Sequence, residues 1–216
     1  MGINSLIVDF DPLFLGGFAL PAELLADRLA KYGISDTDPY MYVRRFYGHS
    51  FAQALAERLP DSIDLAHVER RLATTYGALL QQQAQEHYAE IRRIFGSWAN
   101  LGISFCLVTR LRQATVDELF EGLGTQVFSV PDPTPLACGL SKETLQIALV
   151  TSGSPVRNTL CLGSGGITVA ASVRVGLSVI AIPDPMVVFE NCTGADIVVD
   201  DLGEDSLNRI TARLRA

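Results

Sequence analysis

Metal-binding and redox chemistry have little to work with in this chain of 216 residues. There are 4 cysteines, Cys106, Cys138, Cys161 and Cys192, and no CxxC pair. The 3 histidines, His49, His67 and His87, have no zinc-ligand spacing. Cys106 and Cys161 lie in apolar, strand-like runs, as expected of buried thiols in a reducing cytoplasm. Basic residues are also scarce, 17 Lys and Arg against 24 Asp and Glu. The pairs Arg44-Arg45, Arg70-Arg71 and Arg92-Arg93 stand isolated, so no nucleic-acid footprint is expected. No apolar run reaches bilayer-spanning length, and the N-terminus has no basic region leading into an apolar stretch, so neither membrane insertion nor a signal peptide is expected.

What is present is apolar and regularly patterned. Apolar residues make up 48% and charged residues 19%, which places the chain among globular proteins with room for a sizeable core. Leu6-Ile7-Val8 reads as a strand running into Asp9-Phe10-Asp11, and residues 12–17 as a compact turn ending in Gly16-Gly17. Residues 21–85 are almost wholly helical in pattern, with segments over 21–33, 40–47, 50–59 and 65–85. From about residue 86 helices alternate with strands. The strands are expected over 103–108, 126–130, 159–162, 177–182 and 197–199. The helices are expected over 91–99, 114–120, 142–150, 167–175 and 207–214.

That alternation implies an α/β fold, a doubly wound parallel sheet with a Rossmann-like core. The helical block interrupts the core after its first strand. The expected organisation is therefore a core domain of residues 1–17 and 86–216 with a helical cap domain of residues 18–85 inserted in it.

Asp9 and Asp11, at i and i+2 on an extended segment, are expected to point to one side and converge at the sheet's C-terminal edge, where such folds bind ligands. Thr109, Lys142 and the turn Gly163-Ser164-Gly165 fall at or near the ends of other expected strands. The blander roles are a turn cap for the acids, a solvated first-turn position for Lys142, and surface positions for Arg110 and Arg112. The turn 163–166 follows a strand and opens a helix, so its backbone N–H groups can cradle an anion. A dinucleotide fingerprint would need glycine where Thr168 stands, and NAD binding is not expected.

In order and spacing these segments resemble the haloacid dehalogenase superfamily, in its phosphoglycolate-phosphatase and β-phosphoglucomutase-like branch with a helical cap. The resemblance spans essentially the whole chain. It implies a phosphomonoester hydrolase in which Asp9 is the nucleophile, forming an aspartyl-phosphate, and Asp11 the general acid/base. Thr109 and Lys142 would bind the phosphate, with Arg110 and the turn Gly163, Ser164 and Gly165 nearby. Arg45 and His49 in the cap would face the substrate, a small phosphorylated or anionic molecule. Magnesium would be held by Asp9 and the Asp11 backbone carbonyl together with acids of the last motif.

The chain departs from that pattern at several places. Pro12 and Leu13 replace a Gly and a Thr or Val, and Glu143 replaces a proline. Ser164 and Thr168 replace the two acids of the last motif, so magnesium binding is expected to be weak or absent. Asp184 or the pair Asp200-Asp201 are the available substitute ligands. Three readings follow: a weak or lost phosphatase, a metal-independent anion-binding or regulatory pseudoenzyme, and a protein-interacting module using the cap surface.

Overall fold

The computed structural model describes residues 2–34, 38–131 and 139–216. Cys138 lies outside the described residues. Strands β1 (Ser5–Asp9), β2 (Ser104–Thr109), β3 (Val127–Pro131), β4 (Thr159–Gly163), β5 (Ser178–Ala181) and β6 (Ile197–Val198) form one sheet in the order β3-β2-β1-β4-β5-β6. Every pairing is parallel. β1 is buried throughout, as its unbroken apolar run requires of a strand covered on both faces.

Helices follow the strands as the alternation implies. They are α6 (Tyr88–Ala99), α7 (Gln113–Phe120), α8 (Lys142–Ser152), α9 (Gly166–Val175) and α10 (Glu204–Arg215). Between β1 and β2 lie α1 (Phe10–Phe14), α2 (Ala19–Ala30), α3 (Pro39–Arg45), α4 (Phe51–Ala56) and α5 (Leu65–Glu86). Their ends follow ordinary capping chemistry. Ser50 and Gln53 form a reciprocal capping box on α4, and Asp64 caps α5 by accepting from the His67 N–H. Gly153, in the left-handed region at φ 64°, closes α8. One apolar cluster runs from Leu6, Val8 and Phe105 through Phe10, Phe14, Phe95 and Trp98 to Leu25, Leu55 and Leu72. The Phe95 ring is its hub, touching Phe10, Phe14, Trp98, Phe105 and Phe120 at centroid distances of 4.9–5.9 Å.

Two expectations need correction. The segment after β1 is the helix α1, not a compact irregular turn. Pro12 fits there because the first turn of a helix has no intrahelical use for its N–H groups. Asp11 therefore lies on a helical turn, not on an extended i, i+2 pair with Asp9. Pro21 does lie in the first turn of α2, which starts at Ala19. No helix among the described residues is long and apolar enough to cross a membrane.

Candidate functional site

Parallel register brings the site residues to one edge. Asp9 ends β1 opposite Val108 of β2, one residue before Thr109, while Val8 aligns with Leu162, one residue before Gly163. Asp9 and Asp11 are 2% and 3% exposed, and Thr109, Ser164 and Thr168 are as deeply buried. A buried carboxylate must find donors, and each acid finds them at the end of a different neighbouring strand or in the residues that follow it.

Asp11 turns toward β2. The Thr109 hydroxyl donates to its Oδ1 at 2.5 Å, and the Arg110 backbone N–H donates to its Oδ2 at 2.9 Å. Thr109 Oγ1 in turn accepts from the Leu111 N–H at 3.0 Å.

Asp9 turns toward β4. Its Oδ2 accepts from the Ser164 hydroxyl at 2.5 Å, from the Thr168 hydroxyl at 3.2 Å and from the Ser164 N–H at 3.4 Å. Thr168 Oγ1 also accepts from the Leu140 N–H at 2.8 Å, which ties the approach to α8 into the same cluster. Glycines make room for this threonine. A Cβ on Gly163 would lie 2.5 Å from Thr168 Cγ2, and one on Gly139 would lie 2.6 Å from Thr168 Oγ1. Gly163 thus serves the packing of Thr168.

The turn 163–166 has a carboxylate of its own. Glu190 accepts from the Gly166 N–H at the start of α9 and also from the Ile167 N–H. Burial pushes the Glu190 carboxyl above its ordinary range, and these two donors oppose the shift. A Cβ on Gly165 would sit 2.1 Å from Glu190 Oε2, and one on Gly166 would sit 2.6 Å from the Asn191 carbonyl oxygen. The glycines therefore admit the segment around Glu190 and Asn191 against the helix start, so the anion cradle read from the sequence holds a side chain of the protein itself. Sequence reasoning passed over Glu190. Its one signal was a lone charged residue in the stretch 185–195 that follows β5.

The other expected site residues are placed as follows. Lys142 is exposed at the first turn of α8. The Arg110 guanidinium stacks over the Tyr76 ring at 5.6 Å. In the helical block, His49 Nε2 lies 3.2 Å and Arg45 Nε 4.0 Å from the Glu57 carboxylate. Arg45 also stacks on Phe46 at 5.5 Å. Arg45 and His49 thus converge on Glu57 and not on the acid cluster. The helical block touches the chain beyond β5 through Tyr47 and Phe189, whose rings meet edge to face at 5.4 Å.

The residues present do not fit a magnesium ion. Magnesium demands near-octahedral oxygen coordination and is usually anchored by one or two carboxylates. The nearest groups from the last motif are Ser164 and Thr168, and both direct their hydroxyl protons at Asp9. The substitute acids are directed elsewhere, Asp184 lining a space that Asp9, Ser164 and Thr168 do not line. Asp184 accepts from the Phe18 N–H at 2.9 Å and the Met186 N–H at 2.7 Å, and burial raises its pKa. Asp201 accepts from the Gly203 N–H, and Asp200 is exposed at the far side of the sheet. Among the described residues no group of three or more His, Cys, Asp or Glu side chains is placed to hold a metal ion.

No protein-family model matches the chain, and no curated protein matches it by sequence. Solved structures do. CbbY from Rhodobacter sphaeroides, in complex with phosphate, is 18% identical over 94% of this chain and 96% of its own, with a TM-score of 0.64. A β-phosphoglucomutase from Clostridium difficile is 16% identical over 98% of this chain and 100% of its own, also at 0.64. A haloacid-dehalogenase-superfamily hydrolase from Geobacter sulfurreducens is 16% identical over 99% of this chain and 97% of its own, at 0.57. By these likenesses, the chain has the fold of the haloacid-dehalogenase-like hydrolases and phosphoglucomutases.

Proposed function

We propose that this protein is a haloacid-dehalogenase-like pseudoenzyme: a phosphatase fold that has exchanged its metal site for a network of hydroxyls and carboxylates. The observation that carries this reading is the pair of hydroxyl donors, Ser164 and Thr168, on Asp9 Oδ2. They stand at the two positions where the resemblance places acids, and they give the buried carboxylate protons where acids would give it further negative charge.

Electrostatics supports the same conclusion. Two unit charges about 4 Å apart repel by roughly 4 kcal/mol at a surface-like dielectric. A phosphate dianion at this edge meets Asp9, Asp11 and Glu190. The basic groups the sequence offers against them, Lys142 and Arg110, are respectively exposed and stacked on Tyr76. The ligand class remains a small phosphorylated or anionic molecule, in keeping with the phosphate bound by CbbY, held without metal and weakly. The helices from α2 to α5 serve as the cap in this reading.

The alternative is a residual phosphomonoesterase. It is favoured by the buried acid pair with Thr109 alongside, since Asp9 lies where a carboxylate nucleophile is needed and Asp11 where its acid/base partner is needed. Phosphate release from a generic monoester, with and without magnesium, separates the two. The pseudoenzyme reading expects background rates in both. Turnover that needs magnesium and vanishes in Asp9→Asn would establish the hydrolase.

A further inference from the structure

A cavity of about 520 Å³ lies outside the acid cluster. Its walls come from four places: the chain from α1 into α2, the start of α6 with the residue before it, the turn after β5, and Leu202 between β6 and α10. Neither Asp9, Asp11 and Thr109 nor Ser164 and Thr168 line it. Pro12, Leu13, Met186 and Leu202 supply apolar wall, while His87, Glu90 and Asp184 are the ionisable lining groups. The size falls within the roughly 300–1,000 Å³ of small-molecule sites, and an apolar wall with a few polar groups is their usual make-up.

The charges choose the ligand class. Two carboxylates face one imidazole, and His87 Nδ1 stands 3.8 Å from Glu90 Oε2 in a half-exposed, exchangeable pair. Asp184 accepts one backbone N–H on each oxygen, whereas a carboxylate has about four acceptor positions. Both acids can therefore take a further donor, and both repel an anion. We infer that this cavity binds a compact apolar molecule with an ammonium head, its hydrocarbon against Leu13, Met186 and Leu202 and its charge toward Asp184 and Glu90.

The location gives such binding a consequence. Gly16, Gly17 and Ala19 belong to the chain leading from the sheet into the helical block, and His87 is the residue at which α5 gives way to α6 on the way back. The Asp184 carboxylate already receives the Phe18 N–H. A bound molecule would touch both connections of the helical block to the sheet at once. The inference does not depend on the state of the acid pair, because the two sites share no lining residue.

Methyl NMR titration of the intact protein with benzylammonium, benzyl alcohol and benzoate tests it. The expected result is saturable shifts at Leu13, Met186 and Leu202 with benzylammonium, and at least about tenfold weaker binding of benzoate. Glu90 is exposed, so Glu90→Gln leaves the fold intact and is expected to weaken benzylammonium by about threefold to tenfold without affecting benzyl alcohol. Any of three results would overturn the inference: no saturation up to about 10 mM, equal affinity for benzoate, or indifference of benzylammonium to Glu90→Gln.

Discussion

Ser164 Oγ lies 2.5 Å from Asp9 Oδ2, with the serine fully buried and the aspartate nearly so. A carboxylate at that distance from Asp9 would demand a cation or a shared proton to offset the repulsion. A hydroxyl brings its own proton and adds no charge.

Removing the donors should therefore damage the fold. Ser164→Ala removes a 2.5 Å hydrogen bond to a buried carboxylate and is expected to cost about 1–3 kcal/mol in urea unfolding. Thr168→Val should cost a similar amount, because the same hydroxyl also receives the Leu140 N–H. A loss under about 0.5 kcal/mol in both variants would mean the network is not structural.

Restoring the acids should bring back the metal. Ser164→Asp with Thr168→Asp places like charges beside Asp9, so the double variant is expected to unfold at a lower temperature than the parent in the presence of EDTA. Magnesium should recover much of the difference, since a ligand bound only by the folded state stabilises it. The parent protein should show no magnesium-dependent shift in the same thermal scan.

The glycines at the start of α9 should not be equivalent. At Gly165 the obstructing atom is the end of the flexible Glu190 side chain, whereas at Gly166 it is the Asn191 backbone carbonyl. Gly166→Ala should destabilise despite alanine's better helix propensity. Gly165→Ala should chiefly displace Glu190 and be milder. Comparing the two denaturation midpoints checks the order.

Stability should fall as pH rises through the range in which Glu190 and Asp184 ionise. Burial raises both carboxyls above their ordinary values of 4.5 and 3.8, so the folded state holds protons that the unfolded state has released. Their contribution is present below the unfolded pKa values and lost as pH passes the folded ones. Glu190→Gln should remove its share of this slope, measurable as a flatter dependence of urea midpoint on pH from about 4 upward.

Much of the architecture could be read from residue patterns. Continuous apolar runs such as 103–108 mark strands buried on both faces, and the helical texture of 21–85 followed by alternation marks where the first strand and the remaining sheet part company. The co-location of Asp9, Asp11, Thr109 and the 163–166 turn followed from strand order. Less legible was the direction of each side chain. Local periodicity suggested an extended Asp9–Asp11 pair, but Pro12 and Phe14 suit a helical turn that packs Phe14 against Phe10 and Phe95. Ser164 and Thr168 registered as replaced acids, and Ser164 as part of an anion-binding turn, but not as donors to Asp9, because that role depends on an aspartate more than 150 residues away. Glu190 was passed over for the same reason: a lone charge in a loop without periodicity does not announce a long-range contact with Gly166.

Calorimetric titration of magnesium into the purified protein tests the central claim most directly. A carboxylate already satisfied by Ser164 and Thr168 predicts no saturable heat, with or without a phosphate analogue. A stoichiometric, EDTA-reversible isotherm abolished by Asp9→Asn would contradict it.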